Sequence, residues 1–597
     1  MFVLPLIFSF LTLFVPSTAS DDDSVIVRTV YGTVEGRRLV TSNGHSANVF
    51  RGIPYARAPL RELRFKKPHR PEPWKTPLNC RHWAPRCVQF EPSERSYLEK
   101  PKLDDSEDCL RLNVYTDSTD PAKARPVLFF IHGGSFAMGS TVEYGVEGVI
   151  ENFVSRGLVV VIIQYRLGPL GFISIGDTGN AALWDIALAL HWVHENIAEF
   201  GGDPNRITVA GQSAGAVLAS LLDFSTHTRD KFHALFLMSG SSRVPTLNTS
   251  DVRSRSAQLA RLTQCDLPSP SNLLDCLRTK DVAELKTAFL KITNLSTSAT
   301  PYQTAFQPTF EHEPPTAGRF LDLSTAQPSS KPTLIGTTQA EFASFFARQK
   351  SLSYDRMRAS LAAMLPDRLN DKNGPLLRRL VQHEYLHACG DQNDETFLLS
   401  AYTRLWADFM FHAPAQSEAL ARATSANANV WLYDFSYWRN HSVLQSLPVA
   451  HRGAYHALDL AYLFHTPVWT PGLVPRFTFD SEDDKVSNAF AGIVADFAKT
   501  GKPGAAADGG AWRSVSKTTP FVYLEITNEP TVHFEYHRRA CAFWNRLLPD
   551  MKKIELNEPV SKRKYAQPTG TVAAEDEDDE DLLEFEDHWS TIERDEL

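Results

Sequence analysis

The stretch Ile207-Thr208-Val209-Ala210-Gly211-Gln212-Ser213-Ala214-Gly215-Ala216-Val217-Leu218-Ala219-Ser220-Leu221-Leu222 decides how this chain is read. The run Ile207 to Ala210 reads as a buried strand, Ala214 to Leu222 is compatible with a helix, and Gly211 to Gly215 between them fits Gly-x-Ser-x-Gly. Strand, sharp turn and helix together form the setting that lifts a serine hydroxyl clear of a sheet. Such a turn brings neighbouring backbone too close for a Cβ, which gives both glycines a steric task. Ser213 is the candidate nucleophile.

Outward from this point, short β-branched and aromatic runs alternate with helical patterns. Val127 to Ile131, Leu158 to Tyr165, Ala234 to Met238, Thr333 to Ile335 and Val430 to Phe435 read as further buried strands. Between two of the strands, Trp184 to Phe200 carries Ile186, Leu190, Val193 and Ile197 in helical register. The order strand, helix, strand predicts an α/β fold with a large, mostly parallel central sheet flanked by helices, in a single domain.

A serine hydroxyl needs a base to take its proton and a carboxylate to orient that base, and in α/β-hydrolases these follow in the order Ser, Asp or Glu, His. The alkoxide formed by attack on a carbonyl needs donors already in place. His132-Gly133-Gly134-Ser135 stands directly after the strand ending at Ile131. Its Gly133 and Gly134 N–H groups, with that of Ala214, are the candidate oxyanion hole.

These residues resemble the type-B carboxylesterase and cholinesterase family of α/β-hydrolases. The likeness extends over Phe50-Arg51-Gly52-Ile53-Pro54-Tyr55-Ala56, Arg64-Phe65, Glu107-Asp108-Cys109-Leu110, the His132 segment, Phe200-Gly201-Gly202-Asp203-Pro204 and Cys541-Ala542-Phe543-Trp544-Asn545. It implies Glu341, in the loop Gly336 to Glu341, as the acid, although Ala340 and Phe342 replace the usual Asp and Gly. It implies His456, in Gly453-Ala454-Tyr455-His456, as the base, followed by Ala457 where Gly is common and Asp459 where Glu is. Without the resemblance, any of several histidines after Glu341 would serve.

The resemblance further implies disulfides Cys87 to Cys109 and Cys265 to Cys276. Cys80, Cys389 and Cys541 stay unassigned; the usual partner of Cys541 is missing, since His412-Ala413-Pro414 stands there. Two departures narrow the substrate. No Trp lies between Cys87 and Cys109 to stack on a quaternary ammonium, and Gln212 precedes the nucleophile where cholinesterases carry Glu. The expected substrate is a small uncharged ester in an apolar pocket walled in part by Phe136 and Phe306, hydrolysed through an acyl-enzyme without a cofactor or metal.

Two rival readings follow from the same residues. His383-Glu384-Tyr385-Leu386-His387 with Gly390 matches a zinc-protease pattern, but Asn393 stands where a third ligand belongs. A non-catalytic adhesion protein, of the kind neuroligins exemplify, keeps this fold without the nucleophile, whereas here all three triad positions are intact.

Composition frames the rest. With 597 residues, 43% of them hydrophobic, the chain has ample apolar surface for a large core, which excludes disordered and collagen-like classes. Formal charge is −9, but ten carboxylates lie between Glu575 and Asp587 without a Lys or Arg, so the remainder is nearly neutral and shows no nucleic-acid footprint. The apolar run in Met1 to Ser20 reads as a signal peptide too short to span a membrane, and no later run is long enough. The domain is placed at 21–550 and an acidic, disordered tail at 551–597, with calcium buffering as its sharper alternative. That tail ends in Arg594-Asp595-Glu596-Leu597, which resembles an endoplasmic-reticulum retrieval signal and implies the retrieval receptor as a partner. The expected location is the lumen of that compartment, or secretion if the signal is not read. Sequons at Asn248, Asn294 and Asn440 and seven cysteines fit it.

Overall fold

In the computed structural model, Val127, Phe129 and Ile131 face one hydrophobic core while Leu128 and Phe130 face another. That alternation, repeated by Val159, Val161 and Ile163 against Val160 and Ile162, is what a strand buried on both faces requires. The structure describes residues 23–554 apart from 91–102, 177, 294–304, 311–319, 322–327, 347–350, 367–372, 388–393, 425–427, 440–452, 467–478 and 505–510. The expected signal peptide, the acidic run, Arg594 to Leu597, Asn294, Asn440 and Cys389 lie outside the described residues.

The strands are β1 (Ser24–Thr29), β2 (Gly32–Val40), β3 (Ser46–Pro54), β4 (Leu78–Asn79), β5 (Arg86–Cys87), β6 (Asp105–Ser106), β7 (Arg111–Thr116), β8 (Arg125–Ile131), β9 (Val159–Ile163), β10 (Gly202–Gln212), β11 (Ala234–Met238), β12 (Thr333–Thr338), β13 (Val430–Phe435), β14 (Tyr523–Ile526) and β15 (Thr531–His533). Among them one large sheet has the order β1-β2-β3-β7-β9-β8-β10-β11-β12-β13-β14-β15, with β4 beside β2; β5 and β6 pair separately. From β9 through β14 every neighbouring pair is parallel, and antiparallel strands close both edges. This is the expected α/β-hydrolase sheet.

Helix Ala181–Asn196 covers one face through Leu183, Ile186, Leu190 and Val193, and helix Ser481–Thr500 covers the other through Val486, Phe490, Val494 and Phe497. Each fully buried Val, Leu or Phe contributes roughly 1.5–3 kcal/mol, so the two cores hold the sheet rigid beneath whatever its loops carry. Because the central strands are parallel, their carboxyl ends share one edge. The loops after β8, β10 and β12 therefore rise side by side, which is where open α/β sheets place their sites.

Cys87–Cys109 and Cys265–Cys276 are joined as expected. Cys80 and Cys541 are buried thiols. No helix among the described residues is long and apolar enough to cross a membrane.

Candidate active site

Ser213 leaves β10 with φ 56° and ψ −124°, a conformation outside the regular regions, and helix Ala214–Leu222 begins at the next residue. Its own N–H donates to the Met238 carbonyl at 2.8 Å, which ties the turn to β11. The glycines act as steric reasoning requires: a Cβ on Gly211 would collide with the carbonyl of Gly215, and one on Gly215 with the carbonyl of Ile131. The bend is packed from both sides.

Gly133 approaches the same turn from the loop after β8. A Cβ there would stand 3.2 Å from the Ser213 Cβ and 2.7 Å from the Gln212 carbonyl. None of the Gly133, Gly134 and Ala214 N–H groups is taken up in a turn or loop backbone hydrogen bond among the described residues. His132 is wholly buried and stacked on Tyr165 with ring centres 4.4 Å apart. Burial pushes its imidazole down to about 4, against a smaller opposing effect of the Gly133 carbonyl. That ring stays neutral and places no cation beside the loop.

Glu341 and His456, 115 positions apart, meet: Glu341 Oε2 lies 2.5 Å from His456 Nδ1. The other carboxylate oxygen accepts the Thr338 N–H at 2.9 Å. Two backbone bonds join the loops that carry them, Ala340 N–H to the Ala454 carbonyl at 2.8 Å and His456 N–H to the Glu341 carbonyl at 3.2 Å. At the far side of the ring, Nε2 lies 3.2 Å from the Gln212 amide nitrogen rather than in a hydrogen bond with Ser213. Nucleophile and base are often loosely engaged before substrate arrives. Asp459, fully buried, is raised to about 7 by burial and then by the nearby Glu341 charge.

Two residues around the imidazole are missed by sequence reasoning. Phe411 and Phe345 lie 4.7 and 5.6 Å from it, ring centre to ring centre. Nothing local marks them among 36 phenylalanines. Phe136 and Phe306 are both buried in one core; Phe136 packs edge-on against Phe172, and Phe306 stacks on Phe289. Asn248 caps helix Thr249–Leu262, its side-chain oxygen accepting the Ser250 N–H at 3.0 Å.

The rival zinc segment forms a single π-helical turn, His383–His387. Its Glu384 is paired with Arg539 at 2.5 Å and its Tyr385 is buried with its hydroxyl on Asp408. The carboxylate a metalloprotease would use as its base is thus held by an arginine.

The family model of the carboxylesterase family matches residues 23–544. Gut esterase 1 of Caenorhabditis elegans is 30% identical over 558 residues, which cover 87% of this chain and 92% of that protein. Cocaine esterase of Homo sapiens is 31% identical over 574 residues, covering 92% and 96% respectively. Acetylcholinesterase of Danio rerio is 28% identical over 599 residues, covering 90% of each.

Proposed function

We propose how this chain, which belongs to the carboxylesterase family and is a carboxylic ester hydrolase, carries out its reaction: by a Ser213, Glu341, His456 triad working through an acyl-enzyme. His456 Nε2 takes the proton of Ser213 as Oγ attacks the ester carbonyl carbon. The N–H groups of Gly133, Gly134 and Ala214 receive the developing oxyanion, aided by the positive end of the helix that starts at Ala214. The alcohol leaves with the proton from His456, and water then repeats the cycle on the acyl-enzyme. Glu341 orients the imidazole and offsets the charge it acquires. The observation that carries this reading is the 2.5 Å contact between Glu341 and His456 beside a strained serine turn.

The preferred esters are uncharged. Gln212 brings no negative charge to the site, and the segment from Cys87 to Cys109 has no Trp to stack on a cation. Hydrolysis of a 4-nitrophenyl ester and of a choline ester by wild type and Ser213→Ala tests both parts. The variant should lose activity by a factor of about a thousand or more. Equal rates for variant and wild type would remove the nucleophile, and a choline preference would overturn the substrate class.

The same reading places the enzyme in the lumen of the endoplasmic reticulum, glycosylated at Asn248, Asn294 and Asn440 and returned by a receptor that binds Arg594 to Leu597. Its support is the pairing of an apolar N-terminal run with that C-terminal tetrapeptide. Deleting the last four residues should move the protein into the medium; an unchanged distribution would exclude the signal.

A further inference from the structure

His412 is 2% exposed and sits behind the acid loop. Its Nδ1 lies 2.8 Å from Asp408 Oδ1 and its Nε2 lies 3.1 Å from the Thr338 carbonyl. Both partners are acceptors, so a ring that satisfies both carries a proton on each nitrogen. Burial opposes that charge, yet the Asp408 carboxylate, with Asp434 and Glu341 further off, raises the imidazole to about 9. The second Asp408 oxygen accepts the Tyr385 hydroxyl at 2.8 Å, and that hydroxyl accepts the Trp544 indole N–H at 2.8 Å. Thr338, whose carbonyl the ring holds, is the residue whose N–H holds Glu341 Oε1.

We propose that Asp408 and His412 are positioning residues for ester hydrolysis: they anchor Thr338 and, through it, hold Glu341 in line with His456. This rests on Glu341 being the acid, as proposed above.

A metal site is the other reading of the same cluster, since Asp408, His412 and His537 offer ligand atoms within 4.8 Å of one another. The two imidazoles, however, stack in parallel, 3.6 Å apart and 7° from coplanar orientation. Their in-plane lone pairs lie in nearly parallel planes and so do not converge on one ion, and both His412 nitrogens already face acceptors.

The anchor has a pH dependence of its own. Asp408, Asp434 and Glu341 face His412 with negative charge, His537 stacks on it, and the buried Cys541 thiol touches its carbonyl. A cavity of about 500 Å³ lined by Glu384, Arg404, Asp408, His412, His537, Arg538 and Arg539, among others, opens on the pair and gives protons a route. When His412 loses a proton as pH rises, the one that remains stays on Nδ1, opposite the stronger acceptor, the Asp408 carboxylate. Nε2 then turns a lone pair toward the Thr338 oxygen, and the anchor is lost.

The test is kcat and KM for an uncharged ester from about pH 6 to about pH 10, with melting temperatures, for wild type, His412→Phe, Asp408→Asn, Glu341→Gln and the double variant His412→Phe/Glu341→Gln. His412→Phe should lower kcat about tenfold or more with KM within about twofold, and the double variant should be no slower than Glu341→Gln alone. Asp408→Asn should move the alkaline fall in kcat toward neutral pH, because the carboxylate that holds the second proton is gone. Losses that multiply in the double variant, or an alkaline limb unmoved by Asp408→Asn, would overturn the positioning role. Unchanged kcat in Glu341→Gln alone would overturn the assignment of the acid, and with it the route proposed here.

Discussion

The Gln212 amide nitrogen lies 3.2 Å from His456 Nε2, the nitrogen that must receive the Ser213 proton in the proposed cycle. An amide N–H donating there matches a neutral ring whose own proton sits on Nδ1, facing Glu341. The residue before the nucleophile therefore occupies the base, and the proposed cycle requires this contact to open.

Gln212→Glu should accordingly shift the pH dependence of ester hydrolysis. A carboxylate in that place favours the imidazolium, and catalysis needs the neutral ring, so the acid limb should move up by about one pH unit. Rate profiles for the two proteins measure the shift, and coincident profiles would contradict the contact.

Gly133→Ala should slow the reaction without abolishing folding. The added Cβ would stand 2.7 Å from both the carbonyl and the side-chain oxygen of Gln212, so the loop has to retreat from Ser213. Loss of one oxyanion donor typically costs about a hundredfold in kcat. Steady-state kinetics with a melting curve separates this from unfolding.

Asp459→Asn should stabilise the protein at neutral to alkaline pH. Burial, and then the Glu341 charge, raise the folded-state value to about 7. The unfolded chain releases this proton near the ordinary carboxyl value, so wild-type stability is fully present below that value and is lost as pH rises to about 7. The variant keeps what wild type loses, at most about 4 kcal/mol. Denaturant melts at about pH 4 and pH 8 should agree at the lower pH and diverge at the higher.

Replacing both cysteines of either disulfide by Ala should lower stability. The closed loops span 22 and 11 positions, and chain entropy puts each near 3 kcal/mol, slightly more for the longer loop. Cys87–Cys109 should cost the more, because both residues also pack in the core. Chemical denaturation of the two double variants ranks them.

Ala234 to Met238, Val430 to Phe435 and Ala214 to Leu222 coincide with the observed elements, because short runs of bulky, mainly apolar residues, or a helix-compatible apolar run, leave little choice of state. Thr333 to Ile335 falls short of β12, which continues to Thr338. Its last residues are polar, and a hydrogen bond of 2.7 Å between Thr337 Oγ1 and the Tyr536 hydroxyl keeps them inside. The edge strands β1 to β3 go unread because their apolar runs are short: β1 holds only Val25 to Val27, and Gly and Arg interrupt β2 and β3.

The local order of residues determined the serine turn, since strand, two close-packed glycines and helix are all encoded within sixteen neighbouring positions. It also determined the alternation that buries the sheet on both faces. The pairing of Glu341 with His456 was implied by family resemblance and not by local pattern; what occupies the free nitrogen of that ring, and which buried histidine stands behind Glu341, were decided only by the tertiary structure. Those relations are hydrogen bonds of about 3 Å between residues up to 244 positions apart. They exist because parallel strands bring distant loops to one edge, and short-range periodicity carries no record of which loops will be neighbours.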